Sequence, residues 1–338
     1  MAPTKWGIVS AGKISHDFVA CLRSLSSEEH QIVAVAGRNF DTAKAFAQLH
    51  GIPKVYGSYE ELAQDGDVEI AYVGCLNPDH YKTSKLLFDH GKHVLCEKPL
   101  TTHLKHTQDL LRTSQEKKLF LMEAIWSLCN PAYLNLKAQL DKGLLGQVSY
   151  INVTFGHASM SQDRVIKKDL GGSAMLDIGI YCLALIDFLY GGDLPEKVQA
   201  VGTLTDEGVD IGTAVSMKFS NGRLATFTAS LVMDLPNAAE IVGTTGTVRI
   251  EEPFWSPTRI ETPCGPRDYV VPKTVVPCNY KNSGSLCYEA NEVRRCLLGG
   301  SIESAHVTHK TTERIAFLTC EIFKQLGVSY VHEPVWLQ

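Results

Sequence analysis

The sequence predicts an α/β protein in which a doubly wound parallel sheet is followed by an α+β domain built on a large, open, mostly antiparallel sheet. Three observations carry that prediction. Over residues 1–125, short apolar runs alternate with amphipathic stretches of helical length, the rhythm of βαβ units whose strands lie parallel. From about residue 146 the runs become longer, β-branched and alternating, which suits antiparallel strands with one exposed face. A chain of 338 residues also exceeds what one core usually organises, so residues 1–125 and 126–338 are read as two domains.

The first strand is "KWGIVSAG" and the first helix "KISHDFVACLRSL"; "QIVAVAGR" and "DTAKAFAQLHG" repeat the pair. "KVYG" is a short third strand. "SYEELAQD" is a helix with Ser58 as N-cap and Glu61 three residues on, a spacing that lets each side chain satisfy the other's free amide. "EIAYVGC" is the fourth strand, and "DHYKTSKLLFDHG" a helix ended by Gly91. "HVLCEKP", "HTQDLLRTSQEKK" and "LFLMEAIW" give the fifth strand, a helix and the sixth strand. In the second half "VSYINVTF" precedes an apolar helix, "SAMLDIGIYCLALIDFLYGG". The strands "KVQAVGTLT", "GTAVSMKFS", "LATFTASLV", "AAEIVGTTGTVRIE" and "TRIETPC" follow. Two late helices, "SLCYEANEVRRCLLGG" and "HKTTERIAFLTCEIFKQLG", are free to pack back on the first domain.

Hydrophobic residues make up 44% of the chain and charged residues 20%, ordinary for a globular protein. A formal charge of -5 supplies no field that would gather nucleic acid or an anionic membrane, which leaves a small molecule or a protein as partner. The ten cysteines contain no CxxC pair, and most sit in apolar runs where cysteine acts as a small hydrophobe. That usage points to a reducing compartment and a cytoplasmic protein. No run of about 18 apolar residues is expected to span a membrane, and no metal site is expected.

"GIVSAGKIS" follows the first strand and opens the first helix, where a dinucleotide-binding turn belongs: small residues admit a pyrophosphate, and the helix N-terminus stabilises it. Of the three glycine positions of the GxGxxG fingerprint only Gly12 is glycine; Ser10 and Ser15 take the others. The second strand ends in "VAGRN". A ribose hydroxyl there would call for an acid and a 2'-phosphate for a cation, so Arg38 favours NADP.

"VLCEKPL" runs an apolar strand straight into Lys98, at the carboxyl end of a parallel strand where such sheets take ligands. Lys98-Pro99 also admits a cis peptide. Asp177 and Tyr181 lie four apart, hence on one face of an otherwise apolar helix, and a buried aspartate needs a partner. Those three residues are the catalytic candidates.

Taken in order, "GIVSAGKIS", "CLNPDHYK", "CEKP", "MEAIW" and "GGSAMLDIGIYC" resemble the glucose-fructose oxidoreductase / inositol dehydrogenase / MocA family over essentially the whole chain. The resemblance implies a Rossmann domain and an open sheet that builds a homodimer, with NADP between the domains. The cofactor residues it implies are Ser10, Gly12, Lys13, Ile14, Arg38, Asn77, His80, Glu97 and Lys98. Tyr181, where much of the family has histidine, is implied as the base that takes a proton from a substrate hydroxyl, helped by Lys98, with Asp177 orienting. Trp126, Phe155 and Tyr280 are implied as pocket walls, and a cyclic vicinal diol or an aldose such as D-xylose as substrate. A reductase of dicarbonyls or sugar ketones, and a non-catalytic NADP sensor, are the alternatives. Two departures stand out: Leu128, Cys129 and Asn130 replace an arginine and two aromatics, and Thr42 replaces a second arginine for the 2'-phosphate.

Overall fold

The computed structural model describes residues 2–330, so residues 331–338 of the expected second domain lie outside the described residues. The first half runs β1 (Thr4–Val9), α1 (Lys13–Leu22), β2 (His30–Ala36), α2 (Phe40–His50), β3 (Lys54–Tyr56) and α3 (Tyr59–Gln64). It continues with β4 (Ile70–Val73), α4 (His80–Asp89), β5 (His93–Glu97), α5 (Leu104–Lys117) and β6 (Leu121–Ala124). The six strands make one parallel sheet in the order β3-β2-β1-β4-β5-β6. The winding reverses between β1 and β4, and their carboxyl ends open the crevice where sheets of this kind take ligands. Apolar clusters lie on both faces, one around Trp6, Ile8, Phe18 and Tyr72, the other around Val9, Ala34, Leu87 and Leu110. The predicted cap of α3 forms: Ser58 Oγ accepts from the Glu61 amide at 3.2 Å, and Glu61 Oε2 accepts from the Ser58 amide at 3.1 Å.

A 3-10 turn (Trp126–Cys129) leads to α6 (Pro131–Asp141), β7 (Val148–Gly156), α7 (Asp163–Ile166) and α8 (Ile180–Leu189). Next come β8 (Lys197–Leu204), β9 (Asp210–Lys218), β10 (Leu224–Ser230), β11 (Ala239–Gly243), β12 (Gly246–Ile250), β13 (Arg259–Glu261) and β14 (Arg267–Asp268). The helices α9 (Leu286–Leu298) and α10 (His309–Leu326) follow. The eight strands form one sheet, β14-β13-β12-β11-β7-β10-β9-β8, antiparallel except where β7 meets β10. One face packs on α8; the other leaves Val201 71% and Leu224 48% exposed.

The segment Lys168–Leu189 is long and apolar enough to cross a membrane, which corrects the expectation that no such run exists; 89% of its most apolar 18 residues are buried inside the protein. It is the core helix of the second half. The late helices do return to the first half, α9 against α1 and α10 against α5. The apolar cluster that holds Trp6 and Phe18 therefore runs on unbroken to Phe227, Leu286 and Ile322.

Candidate active site

The turn between β1 and α1 is shaped for an anion. Ser10 has a φ of 81°, the region glycine adopts freely, and its amide is bonded to the Ala36 carbonyl at 2.9 Å. Around Gly12, which caps α1, a Cβ would meet its nearest neighbours at 3.7 and 3.8 Å, so the first amides of the helix stay approachable. Ser15 is buried with its hydroxyl against Gly74, where no side chain would fit; this is the close helix-to-strand contact for which the fingerprint uses its third glycine. Lys13 is exposed and Ile14 half-buried beside them. These residues fit a dinucleotide pyrophosphate.

Arg38 lies at an open pocket of about 400 Å³ lined by Ser58, Tyr59, Asp79 and Lys82. Its side chain is 66% exposed and donates to Asp79 Oδ2 at 3.1 Å. Thr42 is spent locally, its amide and hydroxyl both donating to Asn39 Oδ1, at 2.9 and 3.1 Å. Lys82, which sequence reasoning missed, puts a second cation at the same pocket.

β5 ends at Glu97, and the Lys98-Pro99 peptide is cis. Lys98 Nζ donates to the Asp177 backbone carbonyl at 2.5 Å, lies 3.6 Å from the Asp177 carboxylate, and sits 5.1 Å from the centre of the Tyr181 ring. Arg164 donates to both carboxylate oxygens of Asp177, at 2.8 and 3.4 Å. Burial opposes a charge on Asp177, yet Lys98 and Arg164 hold its carboxyl below the usual range. Trp126 Nε1 donates to the Tyr181 hydroxyl oxygen at 2.8 Å, which leaves the phenolic proton and a second lone pair for a substrate. Phe155 lies 6.1 Å from Tyr181 between ring centroids and stacks on Trp255 at 4.1 Å. Tyr280 lies close enough for the charges of Arg164 and Asp177 to act on its hydroxyl. The three catalytic candidates and the three expected wall residues are thus brought to one place.

Several expectations need correction. Glu97 is buried; it accepts from the Tyr72 hydroxyl at 2.6 Å and from the Lys98 amide at 3.3 Å, so it anchors the base of the turn instead of facing a cofactor. His80 is fully buried, with Nδ1 2.8 Å from the Pro99 carbonyl and Nε2 3.1 Å from that of Cys75; its ring fastens the Lys98-Pro99 turn to the end of β4. Asn77 donates across to the Gly171 carbonyl at 3.1 Å, tying that turn to the segment before Asp177. Asp177 and Tyr181 are not on a plain α-helix: Met175–Gly179 is a π turn that α8 continues, the wide geometry often found at functional sites. Finally, burial, with Glu97 second, pushes the Tyr181 hydroxyl well above its ordinary value, and Lys98 faces the ring instead of the oxygen. Burial therefore outweighs the lowering expected from Lys98.

Residues 4–125 match the oxidoreductase family with an NAD-binding Rossmann fold, and residues 133–249 match the GFO/IDH/MocA C-terminal domain. The chain belongs to the GFO/IDH/MocA oxidoreductase family. It is 43% identical over 326 residues to a Danio rerio protein named trans-1,2-dihydrobenzene-1,2-diol dehydrogenase, covering 96% of this chain and 98% of that one. A Homo sapiens protein of the same name is 39% identical over 326 residues, with the same coverage of 96% and 98%. In fold it is similar to a 3-ketoreductase from Actinomadura kijaniata in complex with NADP, with a TM-score of 0.79, 24% identity and coverage of 96% and 98%. It is likewise similar to a levoglucosan dehydrogenase in complex with NADH, with a TM-score of 0.82, 17% identity and coverage of 96% and 97%. In this family member the "SLCNP" departure is absorbed by packing. Leu128 and Cys129 are buried in the core, and Asn130 caps α6, its Oδ1 accepting from the Ala132 amide at 2.9 Å.

Proposed function

We propose that this oxidoreductase prefers NADP and passes hydride between it and a secondary carbinol of a cyclic vicinal diol or an aldose such as D-xylose. The observation that carries the reading is the convergence of Lys98, Asp177 and the free side of the Tyr181 hydroxyl at the carboxyl end of β5. The nicotinamide, when bound, accepts or supplies the hydride. The protein's part is to place the carbon and move the proton: Tyr181 exchanges it with the substrate oxygen, while the Lys98 cation stabilises negative charge growing on that oxygen. Asp177, clamped by Arg164, fixes Lys98. Phe155, Trp255 and Trp126 form an apolar wall suited to a ring face. For the cofactor, Arg38 and Lys82 favour a 2'-phosphate, in spite of Asp79 beside them.

One observation favours the reverse reaction, reduction of a dicarbonyl or sugar ketone. A hydroxyl whose pKa burial has raised keeps its proton at neutral pH, so the form present is the one reduction needs, whereas as a base it needs alkaline conditions. We read residues 1–125 as the cofactor domain and 126–338 as the substrate and dimerisation domain. The half-apolar open face with Val201 and Leu224 supports a homodimer, and ten free thiols suit a cytoplasmic setting. The deciding experiment is a screen of cyclic diols and aldoses with NADP, and of diketones and sugar ketones with NADPH, read as absorbance of the reduced nicotinamide. Turnover of none, with NADPH still bound, would replace the enzyme by a sensor.

A further inference from the structure

The pocket of about 400 Å³ at Arg38 sets two acids against two cations: Glu60 and Asp79 line it together with Arg38 and Lys82. One wall belongs to α4. Asp79 stands at the N-cap of that helix, and Lys82, Thr83 and Leu86 follow it by three, four and seven positions, so all four share a face. The hydroxyls of Ser58 and Thr83 are occupied: Ser58 Oγ accepts from the Glu61 amide in the cap of α3, and Thr83 Oγ1 lies 3.8 Å from Cys75 Sγ. The charge a ligand meets here is therefore set by Arg38, Lys82, Asp79 and Glu60.

Of the two acids, Asp79 is the one held in place. An aspartate at an N-cap ordinarily accepts from a helix amide, yet this side chain makes no such bond. It reaches across to Arg38 instead, Oδ2 accepting from Nη1 at 3.1 Å. The carboxylate is the more buried partner, 33% exposed against 66%, so the guanidinium is the one with room to turn toward a ligand. Glu60 is exposed, where solvent and salt screen it. An anion drawn to Arg38 thus arrives beside a carboxylate that stays.

We propose that Asp79 is a specificity-determining residue of the cofactor site, one that works against Arg38: it holds down the preference for NADP and keeps NAD usable. The proposal rests on the reading of this pocket as the seat of the adenosine ribose and adds a second determinant to it. A 2'-phosphate carries close to two negative charges at neutral pH. It gains Arg38 and Lys82 as partners but must share Arg38 with the Asp79 carboxylate, which repels it. A ribose 2'-hydroxyl is uncharged and can donate to a carboxylate, the pairing by which an acid at this part of a dinucleotide site favours NAD. Asp79 therefore costs affinity for one cofactor and supplies a partner to the other.

The test titrates the full chain with NADPH and with NADH by fluorescence, for the wild type, Asp79→Asn, Asp79→Glu and Arg38→Ala. Asparagine keeps the shape and an acceptor for Arg38 while removing the charge. The ratio of the NADH to the NADPH dissociation constant should rise in Asp79→Asn by at least about fivefold, the repulsion of two unit charges about 4 Å apart in water. Asp79→Glu, which restores the charge, should keep the wild-type ratio. Raising the salt from about 0.01 to 1 M shortens the screening length from about 30 to 3 Å, so the advantage of Asp79→Asn over the wild type should shrink, as a packing change would not. An unchanged ratio in Asp79→Asn, or one raised equally at both salts, would overturn the proposal while leaving Arg38 as the reader of the phosphate. Equal losses of NADPH and NADH in Arg38→Ala would overturn the reading of the pocket and the proposal with it.

Discussion

Changing Tyr181 to phenylalanine removes a single oxygen, at the point where Trp126 and the substrate meet. The ring keeps its place beside Phe155 and under Lys98, so the apolar packing is preserved. Two separate losses follow. The Trp126 N–H, on a side chain only 4% exposed, loses its acceptor, and a buried unsatisfied donor costs about 1–3 kcal/mol. Because the 338-residue chain shares one core, each kcal/mol shifts the midpoint by no more than the about 2–4 °C of a 150–250-residue domain, so the thermal midpoint falls by a few degrees. Independently, the proton at the reacting oxygen loses its acid/base group, worth about 100- to 10,000-fold in turnover. The assay measures kcat and kcat/KM on the best diol or aldose with NADP, a thermal melt, and an NADPH fluorescence titration. Turnover should fall by about 100-fold or more while NADPH affinity stays within about twofold. Wild-type-like turnover in a folded, cofactor-binding Tyr181→Phe protein would refute the role given to the hydroxyl.

Four further outcomes follow from the same geometry. Arg38→Ala should weaken NADPH by about 10- to 100-fold, the scale of one lost charge-assisted bond, and leave NADH unchanged; equal losses for both would show that Arg38 does not read the 2'-phosphate. Asp177→Asn strips Lys98 and Arg164 of their shared anion and should destabilise the fold by about 3 kcal/mol while lowering kcat/KM by at least tenfold, measured by denaturant titration and steady-state kinetics. Glu123, whose carboxyl burial pushes up to about 7 from an ordinary 4.5, favours the folded state fully below pH 4.5, and that contribution is lost as pH rises through about 7. Glu123→Gln should therefore flatten the fall of the thermal midpoint between those pH values, and identical profiles would exclude Glu123 as its source. Val201→Asp, on the exposed sheet face, should split the homodimer proposed above, read as a wild-type sedimentation coefficient of a dimer falling to that of a monomer, with little effect on the melt; a monomeric wild type would refute that assembly.

The sequence carried the architecture far because period and punctuation coincide. Strands of the first sheet are buried on both faces and read as short apolar runs, and Ser58 and Glu61 announce a helix start that the fold uses as written. Lys98 was legible as a charge at the end of an apolar run, Asp177 as a charge inside one. Arg164 and Trp255 were not legible, since each meets its partner through tertiary placement. Arg164 belongs to a four-residue helix in an otherwise irregular segment, and Trp255 reaches Phe155 from beyond β12. The π turn escaped notice because its apolar composition equals that of an α-helix. Glu97 and His80 were misassigned for a related reason: a motif shows which residues travel together, whereas burial decides which of them touch a ligand and which hold the others in place.

The unbroken core from Trp6 to Ile322 bears on how the protein responds to ligand. With α9 and α10 wedged against the first half, the two halves share this core, while the other face of the six-stranded sheet keeps a cluster of its own around Val9, Ala34, Leu87 and Leu110. Melting of either half exposes the shared core, so thermodynamic linkage acts across it. A dinucleotide at about a hundred times its dissociation constant lends about 2.7 kcal/mol to the folded chain that binds it, the contacts of that shared core included. Cofactor supply thereby becomes a determinant of how long the second half survives.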